Sequence, residues 1–401
     1  MTGLFGGTFD PFHLGHRALI RHAMTGLGLD RLLVMPVGRP PHKSRRTTLA
    51  AYRFEMVRLG TEDLEGVLVS DDEIRRPGLD YTYHTVLRLK EELALDQLVL
   101  LAGSDVLPQL GSWHRPEDLL TEVTLAVAVR GGEDRDEVAE HAARAEARYQ
   151  SEIRLFDMPA IDLSASRIRE TLESDGDISG MCPDRVIDFI RQYRPYQADG
   201  GFDAMKESDW QTLLDLEERA WPYLTQARRL HAASVAQYAA RLAPLYGQDI
   251  GRAARAGLLH DLAKELPRDR QEELAARYFE QGGFGDPLAL QSEDLIHGPA
   301  SSVLATELTG SKDPGLERAV AWHSTAHPVM ETLGEILFLA DKIAYDRPFG
   351  RLEEIRHLAE SGRLAAAMKR CLEEVFEALA RQGKEPAEYS LQAYENYAGE
   401  E

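Results

Sequence analysis

The chain has little cysteine and a shortage of positive charge, and each scarcity removes a class of protein. Two cysteines in 401 residues, Cys182 and Cys371, give neither a disulfide framework nor metal-type spacing. A reducing cytoplasm is therefore the expected location. The 46 Lys and Arg stand against 67 Asp and Glu, a formal net charge of −21. Both halves share the deficit: residues 1–198 hold 24 basic and 32 acidic side chains, the remainder 22 and 35. Neither offers the basic face that duplex nucleic acid requires, so any bound phosphate must sit in a local pocket of a few cations, amides or metals. No apolar run approaches the roughly 20 residues of a membrane helix, and the start of the chain lacks the basic-then-apolar pattern of a signal peptide. Nucleic-acid and membrane partners are not expected.

What is present describes a soluble protein with 43% hydrophobic and 28% charged residues, long enough for two cores. In the first half, short apolar runs at Leu4-Phe5, 31–37, 66–70, 97–102, 124–129 and 153–156 alternate with helix-patterned segments such as 48–60 and 83–93. That alternation predicts an α/β domain with a parallel sheet and helices on both faces, its ligand site beyond the carboxyl ends of the strands. Gly and polar residues after Arg194-Pro195 mark a linker, 197–205, between a first domain, 1–196, and a second, 206–401. The second half reads as helix almost throughout.

The run Gly6-Gly7-Thr8-Phe9-Asp10-Pro11-Phe12-His13-Leu14-Gly15-His16 follows the first strand and opens a helix. Glycine lets backbone amides approach an anion, the helix N-terminus adds positive potential, and two imidazoles can polarise phosphate oxygens. A second phosphate signal is Leu163-Ser-Ala-Ser-Arg-Ile-Arg169, where Ser164 caps a helix whose first turn brings Ser166 and Arg169. In the loops between lie Pro40-Pro41-His42-Lys43, Gly103-Ser-Asp105, Trp113 and Arg130; Trp113 is a candidate stacking platform for a planar ring.

In the order GGTFDPFHLGH, PPHK, YTYHT, LAGSD, Trp113, LSASRIR and CPDRVIDFIRQYRPY, the first half resembles the bacterial nicotinate mononucleotide adenylyltransferases (NadD-type). The resemblance implies a Rossmann-like nucleotidyltransferase fold that joins nicotinate mononucleotide to the AMP of ATP and releases pyrophosphate, with Mg²⁺. It implies an ATP site at Gly7, Thr8, Phe9, His13, His16, Gly103, Asp105, Ser164, Ser166 and Arg169, with His13, His16 and Arg169 catalytic. Lys43, Thr85, Trp113 and Arg130 would serve the nicotinate nucleotide. Two positions depart from the family's usual pattern: His84 replaces an acidic residue, and Ser166 stands where Thr is commoner.

The second half carries His231, His260-Asp261, His297, His323 and Asp341. His231 shares a helix face with Val235, Tyr238 and Leu242, and His260-Asp261 and Asp341 each follow an apolar run. Imidazoles and carboxylates sunk into apolar faces are costly unless paired or bound to metal, and six together point to one centre. Donors without thiolate suit Fe, Mn, Co, Ni or Zn. The order H…HD…H…H…D, within RRLHAASVA, AGLLHDLAKELP, LIHGPAS, AWHSTAHPVM and FLADKIAYDRPFG, resembles an all-α HD-domain phosphohydrolase of the YqeK type, which splits diadenosine tetraphosphate into two ADP. The resemblance implies two transition-metal ions, iron foremost. Asp261 would bridge them, with His231, His260 and Asp341 on one and His297 and His323 on the other. Lys264 and Arg347 are candidate polyphosphate contacts, Thr325 and His327 weaker ones. The expected partners are thus ATP, nicotinate mononucleotide and diadenosine tetraphosphate, with self-association left open. The rival readings are a pantetheine-phosphate type of transferase, an HD half acting on another phosphoester, and one half serving as a nucleotide-binding regulator.

Overall fold

Short apolar runs build the parallel sheet that a βα alternation demands, and those at 98–103 and 124–130 are buried on both faces. The computed structural model describes residues 1–39, 46–76, 78, 81–287, 295–347 and 352–398. They divide into two units, Met1–Gln197 and Ala198–Glu401. The first contains β1 (Thr2–Gly7), α1 (Leu14–Gly26), β2 (Arg31–Pro36), α2 (Ala50–Thr61), β3 (Val67–Val69), α3 (Thr82–Glu92) and β4 (Leu98–Gly103). It continues through a 3₁₀ segment (Ser104–Ser112), α4 (Pro116–Glu122), β5 (Thr124–Arg130), α5 (Arg135–Tyr149), β6 (Ile153–Met158), α6 (Ala165–Glu173) and α7 (Asp184–Tyr193).

The strand order is β3-β2-β1-β4-β5-β6, all parallel, with Leu4 of β1 in register with Leu33 of β2 and Leu100 of β4. The chain runs outward from β1 in one direction and returns to β4 on its other side. A crevice therefore opens where these two strands end, the usual ligand position in such sheets. Every strand expected from the sequence is found; β1 is longer than its two-residue apolar signal because Thr2-Gly3 and Gly6-Gly7 extend it at both ends. Asp134 caps α5 by accepting from the amides of Asp136 and Glu137, and Ser164 caps α6 through Arg167 N.

Among the described residues the second unit is helical: α8 (Glu207–Ala220), α9 (Gln226–Leu242), α10 (Ile250–Leu259), α11 (Arg268–Glu280), α12 (His297–Thr309), α13 (Pro314–Trp322), α14 (Thr332–Ile343), α15 (Leu352–Glu360), α16 (Leu364–Arg381) and α17 (Glu388–Ala398). Trp221, Tyr238, Trp322 and Phe338 are fully buried. The stretch read as a linker is packed into this unit: Asp199 accepts from Tyr345 Oη at 3.3 Å and lies 3.6 Å from the Arg241 guanidinium. No described helix is long and apolar enough to cross a membrane. Both thiols are free and buried, and burial pushes each up to about 12.

Candidate active sites

Beyond β1 the chain loops through Phe9, Asp10 and Phe12 and enters α1 at His13, its N-cap. His16, one turn in, accepts the His13 backbone N–H on Nδ1 at 3.2 Å. In a neutral ring this leaves the proton on Nε2, making it a donor. The two imidazoles stack with centroids 3.6 Å apart, and Phe9 and Phe12 back the His16 ring at 5.0 and 5.5 Å. Gly15 leaves room for this stack: a Cβ there would lie 3.0 Å from His13 Nδ1 and Cε1 and would press on the ring. His13 is buried with Nδ1 lacking a partner; burial, and secondly the Arg130 charge, lower it to about 4, so the ring is neutral.

His13, His16, Arg130, Glu133 and Ser164 line one cleft of about 600 Å³. Arg169 reaches the same loop, donating to the backbone carbonyl of Asp10 and, at 3.1 Å, to Ser166 Oγ. Asp105 and Arg130, at the ends of β4 and β5, pair at 3.2 Å. The loop is tied down from behind. The Asp10 carboxylate accepts from Thr48 Oγ1 at 2.8 Å and Tyr196 Oη at 2.9 Å. The fully buried Arg53 donates to the carbonyls of Thr8, Val37, Gly38 and Thr48, joining the loops after β1 and β2.

In the helical unit five helices converge. His231 comes from the buried face of α9, His260 and Asp261 from the end of α10, His297 from the start of α12, His323 from the end of α13 and Asp341 from α14. His231 Nε2 lies 3.0 Å from Asp341 Oδ1; His297 Nε2 and His323 Nε2 lie 3.2 and 3.4 Å from Asp261 Oδ1 and 3.2 Å from each other. His260 Nδ1 donates to Gly257 O at 2.6 Å and His323 Nδ1 to Val320 O at 2.7 Å. Those bonds leave each Nε2 lone pair facing the cluster, and His260 Nε2 is buried without a partner. Two ligand groups result, His231–His260–Asp341 and His260–Asp261–His323, each with donor atoms within 4.8 Å of one another. Imidazole and carboxylate donors at this spacing fit divalent transition metals, and the orphaned His260 nitrogen is the atom such an ion would satisfy.

Burial lowers His260 to about 3 and His297 to about 4, so both are neutral and ligand-competent. Burial also opposes charge on Asp261 and Asp341, but the surrounding imidazoles, and Lys342 beside Asp341, hold both carboxyls well below the usual range. His231 is pushed down by burial yet raised to about 9 overall by Asp341 and by Asp346, whose Oδ2 lies 2.8 Å from its Nδ1. Four cations ring the cluster. Arg228 pairs with Asp261 at 2.8 Å, Lys264 Nζ lies 3.1 Å from His297 Nδ1, Arg347 donates to Asp341 at 2.8 Å, and Lys342 also pairs with Asp341. All four line a cleft of about 1090 Å³.

Two family matches divide along the same line. Residues 4–171 match the cytidylyltransferase-like family and residues 228–346 the HD domain. A "Probable nicotinate-nucleotide adenylyltransferase" of Aeromonas salmonicida is 39% identical over 208 residues, covering 49% of this chain and 97% of the relative. The chain belongs to the nicotinate-nucleotide adenylyltransferase family. A relative of the same printed name from Neisseria meningitidis serogroup C is 35% identical over 197 residues, 49% of this chain and 98% of that protein. The family's members thus account for about half of the chain. A solved "predicted HD superfamily hydrolase involved in NAD metabolism" from Clostridium acetobutylicum is 24% identical, with a TM-score of 0.41, covering 49% of this chain and all of that one.

Within the adenylyltransferase unit, the structure gathers His13, His16, Ser164, Ser166, Arg169, Asp105 and Arg130 at one sheet edge and sets other expected residues apart. Phe9 is buried, and its ring packs edge-on against His16. Gly7 is crowded by the same ring, which a Cβ would meet at 2.8 Å. Thr85 is fully buried at the start of α3, and its Oγ1 donates to Glu73 at 2.9 Å. Trp113 is half-buried against the sheet's apolar core and is not among the described residues lining the cleft. His84 is exposed, 5.6 Å from the His114 ring. Lys43 lies outside the described residues.

The clusters of three or more donors able to hold a metal, among the described residues, are both in the HD unit. There the six expected ligands converge, but His260 contributes to both groups and His297 to neither, lying instead 3.2 Å from Asp261. Asp10, Arg53, Tyr196, Arg228, Lys342 and Asp346 were not read from the sequence. Asp346 could have been, as an acid five residues after Asp341; a buried Arg53 has no sequence signature.

Proposed function

We propose that the chain is a bifunctional enzyme. The first unit transfers AMP from ATP to nicotinate mononucleotide, giving nicotinate adenine dinucleotide and pyrophosphate. The second hydrolyses diadenosine tetraphosphate to two ADP. The observation that carries the first assignment is the imidazole pair at the α1 N-terminus, on the β1/β4 crevice, with Arg169 bound to the same loop.

In the transferase, a phosphate oxygen of the mononucleotide bonds to the α-phosphorus of ATP while the bridging bond to the β-phosphate breaks, and charge leaves with pyrophosphate. No side-chain nucleophile is needed. Backbone amides at Gly7, Thr8 and Phe9, with Gly103, Asp105, Ser164 and Ser166, would seat ATP. His16 Nε2–H, the neutral His13 and Arg169 would stabilise charge on the bridging and leaving oxygens, as placed donors do for developing anions. Mg²⁺ enters with the triphosphate. Lys43, Arg130 and Trp113 are assigned to the nicotinate nucleotide.

In the hydrolase, His231, His260, His297, His323, Asp261 and Asp341 would hold two transition-metal ions, iron foremost, with Asp261 shared. Such ions supply Lewis acidity and lower the pKa of a bound water. Lys264 and Arg347, joined by Arg228 and Lys342, would bind the polyphosphate. The cleft volume, about 1090 Å³, lies just above the roughly 300–1,000 Å³ typical of small-molecule pockets, which favours an extended substrate.

The test assays the full chain for both reactions. Turnover on nicotinate mononucleotide well above that on nicotinamide mononucleotide and phosphopantetheine supports the transferase assignment; preference for either competitor overturns it. Two ADP from diadenosine tetraphosphate supports the hydrolase assignment, whereas AMP plus ATP, or no reaction in the metal-supplied protein, overturns it. Asp261→Ala should lose metal and hydrolysis while keeping adenylyl transfer.

A further inference from the structure

Residues 199–203, at the start of the second unit, form a folded turn. The Asp203 carboxylate accepts the amides of Asp199 and Gly200 at 3.2 and 3.0 Å. The turn sits on the end of α9: a Cβ at Gly201 would lie 3.1 Å from Arg241 N and 3.2 Å from its Cα. From there the Asp199 side chain, 8% exposed, reaches inward to a polar cluster. Tyr345 Oη donates to Asp199 Oδ2 at 3.3 Å and accepts from Arg241 Nη1 at 2.8 Å. Arg241 also pairs with Glu360 at 2.9 Å, and Tyr238 Oη donates to Glu360 at 2.7 Å. The Tyr238 and Tyr345 rings meet edge to face with centroids 5.2 Å apart. Two acids thus flank one guanidinium, and a buried hydroxyl has both a donor and an acceptor.

Tyr345 immediately precedes Asp346, whose carboxylate lies 2.8 Å from His231 Nδ1. The Asp346 amide donates to Ser234 Oγ at 3.2 Å, one turn along α9 from His231. The turn after α14 is therefore pinned at two points, by Ser234 through Asp346 and by Asp199 and Arg241 through Tyr345. A carboxylate behind a ligating imidazole fixes the ring's tautomer and direction, and displacing it weakens metal binding.

We propose that Asp199 is a positioning residue for the metal cluster: bound to Tyr345, it holds the turn after α14 and keeps the Asp346 carboxylate behind His231. The HD match begins at residue 228, so metal retention then depends on a residue outside the matched domain, in the stretch of chain that joins the two units. The inference rests on the metal-centre reading of the second unit and adds a support which that reading does not require.

The experiment measures Mn²⁺ binding by the metal-stripped full-length chain in competition with a chelator, beside helical circular dichroism and adenylyl transfer. D199A should weaken Mn²⁺ about fivefold, less than the roughly 10–100-fold typical of a carboxylate bonded directly to a ligating histidine. Y345F keeps the ring against Tyr238 but loses the bond, and should weaken Mn²⁺ equally. D199N retains an acceptor oxygen for the Tyr345 hydroxyl and should stay within about twofold of the unmutated chain. The D199A/Y345F chain should be no weaker than either single variant, because both changes break one path. Full Mn²⁺ affinity in D199A, losses that multiply to about 25-fold in the double variant, or D199N as weak as D199A would overturn the proposal. Adenylyl transfer should be unchanged in every variant. Should D199A lose helix, Y345F and D199N decide the matter: equal affinity in the two overturns the proposal. If the unmutated chain binds no Mn²⁺, the metal-centre reading itself falls and takes this inference with it.

Discussion

Replacing Gly257 with alanine would insert one methyl group where α9 and α10 touch. The new Cβ would lie 2.6 Å from Ala236 Cα, 2.7 Å from Ala236 N and 2.8 Å from Val235 C. These are backbone atoms and cannot rotate aside. Carbon atoms rest at about 3.5–4.0 Å, so the helices must part by roughly 1 Å or the backbone must bend. Overpacking of this kind costs about 1–3 kcal/mol. At about 2–4 °C per kcal/mol for a domain of this size, the melting temperature of the helical unit should fall by about 2–12 °C. The functional consequence is larger. α9 carries His231 and α10 leads into His260, while the carbonyl of Gly257 itself accepts His260 Nδ1 at 2.6 Å. Metal sites tolerate displacements of only about 0.2 Å, so bound transition metal should drop to less than half that of the unmutated chain. Calorimetry gives the first quantity and elemental analysis the second. A variant with unchanged melting temperature and full metal content would refute the reasoning.

Four further outcomes are expected. H16A removes one donor to developing charge and should lower adenylyl transfer about a hundredfold, near 3 kcal/mol, with KM little changed; unaltered kcat would remove His16 from that role. Since burial lowers His13 to about 4, the unfolded chain takes up its proton first as pH falls. Its contribution is complete above about pH 6.5 and is lost on descent towards pH 4, up to about 3 kcal/mol, so an NMR titration should find the ring neutral at pH 5. D346N should weaken metal binding about 10–100-fold in competition with a chelator and leave adenylyl transfer unaffected, because Asp346 orients His231 without belonging to either ligand group. Stripping transition metal and restoring Mg²⁺ alone should abolish hydrolysis while the transferase persists; loss of both activities would contradict separate sites.

The sequence by itself determined the class of each unit and named most of the side chains that the structure gathers at the two candidate sites. Strand and helix alternation settles a parallel α/β sheet because periodicity and turn chemistry are local. GGTFDPFHLGH is legible for the same reason: glycines, a helix start and two imidazoles one turn apart act within eleven residues. The six His and Asp of the second half are legible by cost, since such groups on apolar helix faces need a common centre. Tertiary structure decided what surrounds them. The Thr85 side chain is buried in a bond to Glu73, and Phe9 props His16 from the core. Arg53, Tyr196 and Asp346 reach their partners across 45, 186 and 115 positions of chain. Short-range order follows from neighbours along the chain, whereas burial and long-range hydrogen bonds are fixed only when the whole core closes, and that is where the supporting half of each site was set.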